Sequence, residues 1–138
     1  MNPFILAILA ALFYGSAPIF EKIGLAKIDP LIGIFYRSFF VALILIIYFG
    51  WKGKLTGLFS FPANSILCLI TGGLLSALIA QWFYFTALKS GEASKIVPIS
   101  GSYPLIAMLL ALIILGEQFT FSKLFGVIFI LAGIVLLR

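Results

Sequence analysis

Five long apolar stretches, separated by short polar links, constrain this chain more than any other feature. A helix needs about 20 mostly apolar residues to cross the hydrocarbon core of a bilayer, and each stretch approaches that length. The predicted spans cover residues 3–20, 31–49, 65–88, 96–115 and 121–137. They leave no room for a soluble domain, so the sequence predicts an all-α membrane protein with one domain, residues 1–138.

The composition excludes several other classes of protein. Only 9% of the residues are charged, against roughly 25% in soluble domains. The net charge of +5 comes from nine basic residues that stand singly between apolar runs, whereas nucleic-acid binding needs them clustered on one face. The partner expected from composition is therefore a lipid bilayer, and no nucleic acid.

The missing residue types argue against an enzyme. The chain has no histidine, and its one cysteine, Cys68, lies inside an apolar run. Disulfides, zinc sites and Ser-His or Cys-His catalytic pairs are thereby excluded. No pair of acidic residues has a spacing that suits general acid–base chemistry. We therefore expect no catalytic residues, no metal and no cofactor.

The basic residues beside the spans give a weak topology signal. One side of the membrane would hold Lys52, Lys54 and Lys123, and the other side Lys22, Lys27, Lys89, Lys95 and Arg138, with Arg37 nearby. Positive residues favour the cytoplasm, so this count favours an external N-terminus and an internal C-terminus. A bias this small is equally typical of a protein that inserts in both orientations and of one with few loop charges.

Polar residues fall on one face of span one and on one face of span three. Tyr14, Pro18 and Glu21 share a face at helical spacing, which could line a cavity or form a close helix contact. In span three, Gln81 and Tyr84 share a face. The amide of Gln81 offers both donors and acceptors, which would serve either another helix or a ligand. Earlier in that span, Gly72 and Ser76 favour helix packing.

Span four is irregular in its first half. Pro98, Ser100, Tyr103 and Pro104 crowd this segment together with a Gly-Ser pair. Each proline lacks an N–H, so Pro98 and Pro104 free one carbonyl four residues earlier. Interrupted helices point to the binding site of a transporter. The alternative interpretation is a proline kink whose free carbonyl is satisfied by serine hydroxyls.

Charged residues near the span ends have structural explanations. We expect Arg37 to reach the interface or to pair with Glu21 or Asp29, and Glu117 to serve the turn before span five. No carboxylate lies in the middle of a span, and Glu21 is the nearest candidate for proton exchange.

Gly126 and Gly133 lie seven residues apart in span five, which predicts a helix–helix contact.

The pattern as a whole resembles the EamA-type members of the drug/metabolite transporter superfamily. The matching stretches are Phe-Tyr-Gly-Ser-Ala-Pro-Ile-Phe-Glu-Lys-Ile-Gly (13–24), Ile-Asp-Pro (28–30), Gln-Trp-Phe-Tyr-Phe-Thr-Ala-Leu-Lys-Ser-Gly-Glu-Ala-Ser (81–94), Val-Pro-Ile-Ser (97–100), Tyr-Pro-Leu (103–105) and Leu-Gly-Glu-Gln-Phe-Thr (115–120), then Gly126 and Ala-Gly (132–133). Each stretch is a weak signal, but their order and spacing cover nearly the whole chain.

The resemblance implies a transporter that acts as a pair of chains. Members of the family usually have ten helices, built as two five-helix repeats of opposite orientation, and this chain resembles a single repeat. An antiparallel dimer, with itself or with a close paralogue, is therefore implied. Gly126 and Gly133 resemble the glycines at which the related small multidrug resistance proteins dimerise. Those proteins use a glutamate in the middle of their first helix, and Ala10 to Tyr14 contain none here.

The sequence thus predicts a transporter subunit that exports a small amphipathic or aromatic metabolite by alternating access. The predicted binding residues are Tyr14, Gln81, Tyr84, Ser100 and Tyr103, with Pro18, Pro98 and Pro104 shaping broken helices and with Gly126 and Gly133 at the dimer contact. Two alternatives stay open. One is a membrane accessory or assembly subunit that transports nothing, and the other is a subunit of a flippase for lipid-linked sugars.

Overall fold

The computed structural model describes residues 2–54, 57 and 60–136, and every regular element in these residues is helical. The elements are α1 (Pro3–Leu25), α2 (Pro30–Trp51), α3 (Ala63–Gly73), a π-helical segment (Leu74–Ala80), α4 (Gln81–Ser90), α5 (Ala93–Ser100), α6 (Pro104–Ile114) and α7 (Phe121–Leu136). The end of span five at residue 137 and the flanking Arg138 lie outside the described residues.

These elements supply four helices long and apolar enough to cross a membrane, and a fifth that is shorter. The four are Pro3–Leu25, Pro30–Trp51, Ala63–Ser90 and Ala93–Ile114, and the described part of the fifth is Phe121–Leu136. Backbone groups in lipid must be satisfied within the chain, and a helix achieves this along its whole length. The prediction of an all-α membrane protein with five apolar spans is confirmed.

The first two helices begin at residues with ordinary helix-starting chemistry. The side chain of Asn2 accepts a hydrogen bond from the backbone N–H of Phe4 at 3.0 Å, and Pro3 follows as the first helical residue. Asp29 accepts in the same way from Leu31 at 2.9 Å, and Pro30 follows it. Both residues satisfy backbone donors that a helix N-terminus leaves unpaired.

Two span boundaries differ from the sequence prediction. Span one was expected to end at residue 20, but α1 continues to Leu25 and so includes Glu21 and Lys22. Charged residues do not stop a helix where its last turn extends beyond the lipid tails or where their side chains find partners. Span four was expected at residues 96–115, but its helices extend from Ala93 to Ile114, with the interruption expected in its first half between Ser100 and Pro104.

The chain divides into two compact units, residues 1–89 and 90–138. Unit 1 contains α1, α2, α3, the π-helical segment and nearly all of α4. Its buried core is small and consists of Leu25, Ile34, Phe85 and Leu88, with Pro18 and Pro30 also buried. Most other apolar side chains in this unit are exposed, as expected of helices whose solvent is lipid.

Gly33 allows three helices of unit 1 to meet closely. A Cβ atom at this position would lie 3.1 Å from Leu25 Cδ2 on α1 and 3.4 Å from Phe85 Cε2 on α4. Small residues permit this approach of helix backbones in membranes. Gly33 therefore sets the spacing at the core of unit 1.

Unit 2 contains α5, α6 and α7. Gly116 has a φ of +64° in the link between α6 and α7, a left-handed conformation that glycine adopts without a steric penalty. The hydroxyl of Thr120 then accepts from the backbone N–H of Lys123 at 3.3 Å and caps α7. Lys123 also contacts the carboxylate of Glu117 at 3.1 Å, so Glu117 serves this link.

We expect Gly33→Leu to lower the stability of the protein by about 1–3 kcal/mol, because added atoms must displace Leu25 or Phe85. Gly15→Leu is the matched control on α1, where a Cβ atom meets nothing within 4 Å. Thermal unfolding in detergent micelles measures both variants. Equal melting temperatures for the two would contradict the close packing at Gly33.

Candidate functional site

The predicted polar face of α1 is partly buried in unit 1. Pro18 is buried, and the side chain of Glu21 is 17% exposed, whereas Tyr14 is 72% exposed. The prediction that Pro18 breaks span one is corrected here, because α1 runs without interruption from Pro3 to Leu25. The missing N–H of one proline removes a single hydrogen bond, and the neighbouring turns keep theirs.

The predicted face of α4 is also turned inward. Gln81 and Tyr84 are half-buried, and Leu88 is completely buried. Gln81 is the first residue after the π-helical segment Leu74–Ala80, which the sequence did not predict. Such segments occur frequently at functional sites. The only sequence signal nearby is the Gly72-Gly73 pair, which weakens regular helix geometry just before the segment begins.

A lysine fixes the register between α1 and α4. The Nζ atom of Lys22 donates hydrogen bonds to the carbonyl oxygens of Leu88 and Lys89. The first of these contacts joins residues that are 66 positions apart. Since both helices rise about 1.5 Å per residue, the same offset along two helices that run side by side brings Pro18 to the level of Tyr84, and Tyr14 to the level of Ala80, the residue before Gln81. The two faces predicted from the sequence therefore belong to the same part of unit 1.

An ion pair joins α1 to α2 beside these faces. Arg37 Nη1 lies 3.7 Å from Glu21 Oε1, so Glu21, and not Asp29, is the partner of Arg37. Asp29 is already occupied in capping α2. Helical side chains lean toward the N-terminus of their helix, so Glu21 leans deeper into α1 and Arg37 leans back toward the start of α2. These directions bring the two charges together.

Tyr84 completes a small polar group inside unit 1. It lies within electrostatic reach of both Glu21 and Arg37. We call Glu21, Lys22, Arg37 and Tyr84 the polar junction. The sequence predicted that Arg37 could pair with Glu21, but both residues were left out of the binding set because a linear pattern does not show that the pair lies beside Tyr84 of α4.

The ion pair in the junction is loose. Charge-assisted hydrogen bonds between nitrogen and oxygen are about 2.7–2.9 Å long, and the contact here is 3.7 Å. Neither Glu21 nor Arg37 forms a hydrogen bond with another residue in the described part of the chain. The site thus holds two opposite charges with spare hydrogen-bonding capacity beside an aromatic hydroxyl, an arrangement able to bind a polar group.

The remaining predicted binding residues lie in unit 2, at the interruption of span four. The hydroxyl of Ser100 donates to the carbonyl oxygen of Val97 at 3.0 Å, in the last turn of α5. Tyr103 is 65% exposed and precedes Pro104. The prediction that Pro98 breaks a helix is corrected, because α5 continues through it to Ser100. The break falls at residues 101–103, directly before Pro104, which has no N–H to offer the carbonyl of Ser100.

The two glycines of α7 face open space within unit 2. A Cβ atom at Gly126 or at Gly133 would meet nothing within 4 Å. Gly126 lines a shallow groove of about 460 Å³ with small residues of α6, among them Ala107 and Ala111. This geometry leaves room for another helix, and the assignment of Gly126 and Gly133 to a dimer contact stays a prediction.

Removing the charge of Arg37 and removing the charge of Glu21 should destabilise the protein by different amounts. Arg37→Gln leaves the largely buried Glu21 without its counter-charge, which should cost about 2–3 kcal/mol, below the ~3–5 kcal/mol of a fully buried pair because Arg37 is half-exposed. Glu21→Gln leaves an arginine that can reach the interface, so it should cost less. Thermal unfolding of the two single variants and of the double variant measures how much stability each one loses. A larger loss of stability for Glu21→Gln than for Arg37→Gln would contradict the prediction.

Comparison with known proteins agrees with this architecture. Residues 1–138 match the model of the EamA-like transporter family. An uncharacterized transporter of Sinorhizobium is 28% identical over 95% of this chain and 92% of its own length. An uncharacterized transporter of Archaeoglobus fulgidus is 23% identical over 99% of this chain but only 48% of its own length.

A third relative is described as a probable 4-amino-4-deoxy-L-arabinose-phosphoundecaprenol flippase subunit, from Sodalis glossinidius. It is 38% identical over 51% of this chain and 56% of its own length. No solved structure matches the chain significantly. The family match extends over the whole chain, and five apolar spans with a polar site inside them fit a membrane transporter. The chain belongs to the EamA-like transporter family.

Proposed function

We propose that the chain exports a small amphipathic or aromatic metabolite across the cell membrane by alternating access, as an antiparallel dimer. The observation that carries the proposal is the polar group inside unit 1, where Glu21 of α1 pairs with Arg37 of α2 within electrostatic reach of Tyr84 on α4. Polar and ionisable residues within membrane helices are costly and mark substrate pathways. In unit 1 the substrate would contact Tyr14, Gln81 and Tyr84, and in unit 2 the predicted binding residues Ser100 and Tyr103 stay a prediction of their own.

The chemistry of these residues defines the class of substrate. Tyrosine rings offer apolar surface and can also attract a cation, whereas the amide of Gln81 can hydrogen-bond a polar group. Gln81 is half-buried, so a substrate that reaches it must leave most of its own hydration. A small molecule with one aromatic or apolar part and one polar group satisfies both conditions.

The dimer is supported by the lengths of two relatives and by charge. The chain spans about half of the Archaeoglobus fulgidus transporter and nearly all of the Sinorhizobium transporter. The Archaeoglobus fulgidus transporter is long enough to contain two segments of this size. The Sinorhizobium transporter is long enough for one, so two separate chains would have to come together to supply two segments. The small difference in basic residues between the two sides of the membrane favours insertion in both orientations, which an antiparallel homodimer requires.

A second candidate function is supported by the partial similarity to the flippase subunit from Sodalis glossinidius. Under this alternative the chain would be one subunit of a flippase for a lipid-linked sugar, and its partner would be a paralogue. It would then act on a long-chain lipid, and water-soluble metabolites would not compete.

Gln81→Leu should lower transport by roughly tenfold, because the substrate loses a hydrogen bond inside the membrane. Export would be measured in proteoliposomes with labelled tryptophan, indoleacetate and ethidium as zwitterionic, anionic and cationic aromatic probes. Ser76→Ala is the matched control, since that hydroxyl donates only to the carbonyl of Gly72 in its own helix, at 2.8 Å. Flux of all three probes that is unchanged in Gln81→Leu would contradict a role for this residue.

Topology provides a separate test of the dimer. Single cysteines at Lys27 and at Lys54, in a Cys68→Ala background, are labelled from outside intact cells with a membrane-impermeant maleimide. Lys27 lies in the α1–α2 link and Lys54 follows α2, so the two positions lie on opposite sides of the membrane. We expect partial labelling at both positions. Complete labelling at one position and none at the other would refute an antiparallel homodimer and would favour an oppositely oriented paralogue.

A further inference from the structure

The packing of unit 1 is concentrated at one end. All four of its buried core residues lie where α1 and α4 end and where α2 begins: Leu25, Ile34, Phe85 and Leu88. By contrast, every residue in ranges 2–16, 35–48 and 67–80 is exposed. The three spans of this unit therefore bury side chains between them at one end, whereas farther along α2 contacts the π-helical segment and leaves these side chains largely exposed.

The polar contacts between different segments of unit 1 lie at the same end. Lys22 donates to the carbonyl of Leu88, Lys89 donates to the carbonyl of Ile28 at 2.8 Å, and Glu21 pairs with Arg37. These contacts join α1 to α4, α4 to the α1–α2 link, and α1 to α2. The hydroxyls of Ser16, Thr71 and Ser76 donate instead to carbonyls of their own helices.

The strength of these contacts is suited to repeated opening. Among the described residues of unit 1 the core consists of four apolar side chains besides two buried prolines, and the ion pair is separated by 3.7 Å. The two lysines lie near the helix ends, where water can replace a carbonyl partner when the contact breaks. An end held by one small core and by exchangeable polar contacts can separate without unfolding any helix.

The predicted binding residues lie on the open side of this packed end. Gln81 and Tyr84 precede Leu88 by about two turns and one turn, and Tyr14 precedes Pro18 by about one turn. A molecule bound at these residues would therefore be exposed toward the open surfaces and blocked at the packed end. Alternating access requires such a barrier on one side of the binding site and its removal later in the cycle.

We propose that the packed end is a gate of the transporter, and that the Glu21–Arg37 pair is its releasable lock. The proposal rests on the proposed transport function, since it assigns these contacts a role in the cycle. Breaking the lock shifts unit 1 toward a form in which α1, α2 and α4 separate at this end. The closed form is stabilised by the Glu21–Arg37 pair, by the lysine contacts and by the small apolar core.

The gate is tested by distances between spin labels, in the full chain reconstituted in lipid and with Cys68→Ala. One label pair, at Phe20 and Phe83, reports on the packed end, and a second pair, at Phe4 and Ile47, reports on the other end. All four side chains are exposed. We expect Glu21→Arg and Arg37→Glu each to shift the population by roughly tenfold or more toward longer distances at the packed end, because each variant loses the charged contact and places two like charges side by side.

The charge-swapped double variant, with Glu21→Arg and Arg37→Glu together, should restore the closed distances because the pair is re-formed in reverse. The matched control is the same swap at Glu117 and Lys123, an exposed pair at 3.1 Å in unit 2, which should leave both distances unchanged. Unchanged distances in the single variants would overturn the proposal. A double variant as open as the single ones would also overturn it, because the effect would then not depend on the pair.

A second variant keeps the proposal testable if the charge reversals fail to fold. Lys89→Met removes the contact with the carbonyl of Ile28 and leaves the ion pair in place. It should shift the packed end in the same direction, and an unchanged distance would count against the gate. These measurements need no substrate. If the probes cross the membrane while the packed end stays closed in every variant, the gate is refuted and the transport proposal stands. If the packed end opens but none of the three probes is transported, the transport proposal is refuted and the opening of this end stands.

Discussion

The bilayer supplies no hydrogen bonds to an exposed backbone, and this single constraint governs the structure. Each spanning segment must satisfy its own N–H and C=O groups, so each becomes a helix. The side chains have no comparable obligation to be buried, because lipid tails are as apolar as leucine. This explains why so few apolar side chains are buried among the described residues of unit 1, although its three spans are apolar enough to cross a membrane.

Under these conditions, polar contacts determine how the helices associate. Leaving a charge or a carbonyl without a partner is costly in lipid, so Lys22, Lys89, Glu21 and Arg37 find one another or find free carbonyls at helix ends. These contacts coincide with the place where Gly33 lets three helices come close. One end of unit 1 is thereby closed by a combination of small-residue packing and polar links.

The same contacts connect the fold to transport. A transporter needs helices that are individually stable yet able to change their neighbours. The α1 and α4 helices meet this need, since their internal hydrogen bonds do not depend on the junction. The junction itself consists of few contacts beside the residues expected to bind substrate. In unit 2, the interruption before Pro104 likewise leaves α5 and α6 as two separate helices, each with its own internal hydrogen bonds.

Much of the local structure could be predicted because it depends on neighbours in the chain. The start of α2 after Asp29 and the interruption before Pro104 follow from side-chain caps and from a missing N–H. The faces that carry Tyr14, Pro18 and Glu21, or Gln81 and Tyr84, follow from the 3.6-residue period. The effect of Pro18 and Pro98 was overestimated, because a helix with intact turns on both sides tolerates the loss of one hydrogen bond. The π-helical segment before Gln81 was missed, since residues 74–80 have an ordinary apolar composition.

The sequence by itself determined that this is an all-α membrane protein with five apolar spans, and it showed which residues share a helical face. The tertiary structure alone decided which faces meet. It selected Glu21 instead of Asp29 for Arg37, set the register of α1 against α4 through Lys22, and placed the packed core at one end of unit 1. The physical reason is that periodicity specifies the direction of a side chain from its own helix axis. The partner in that direction depends on how separate helices pack.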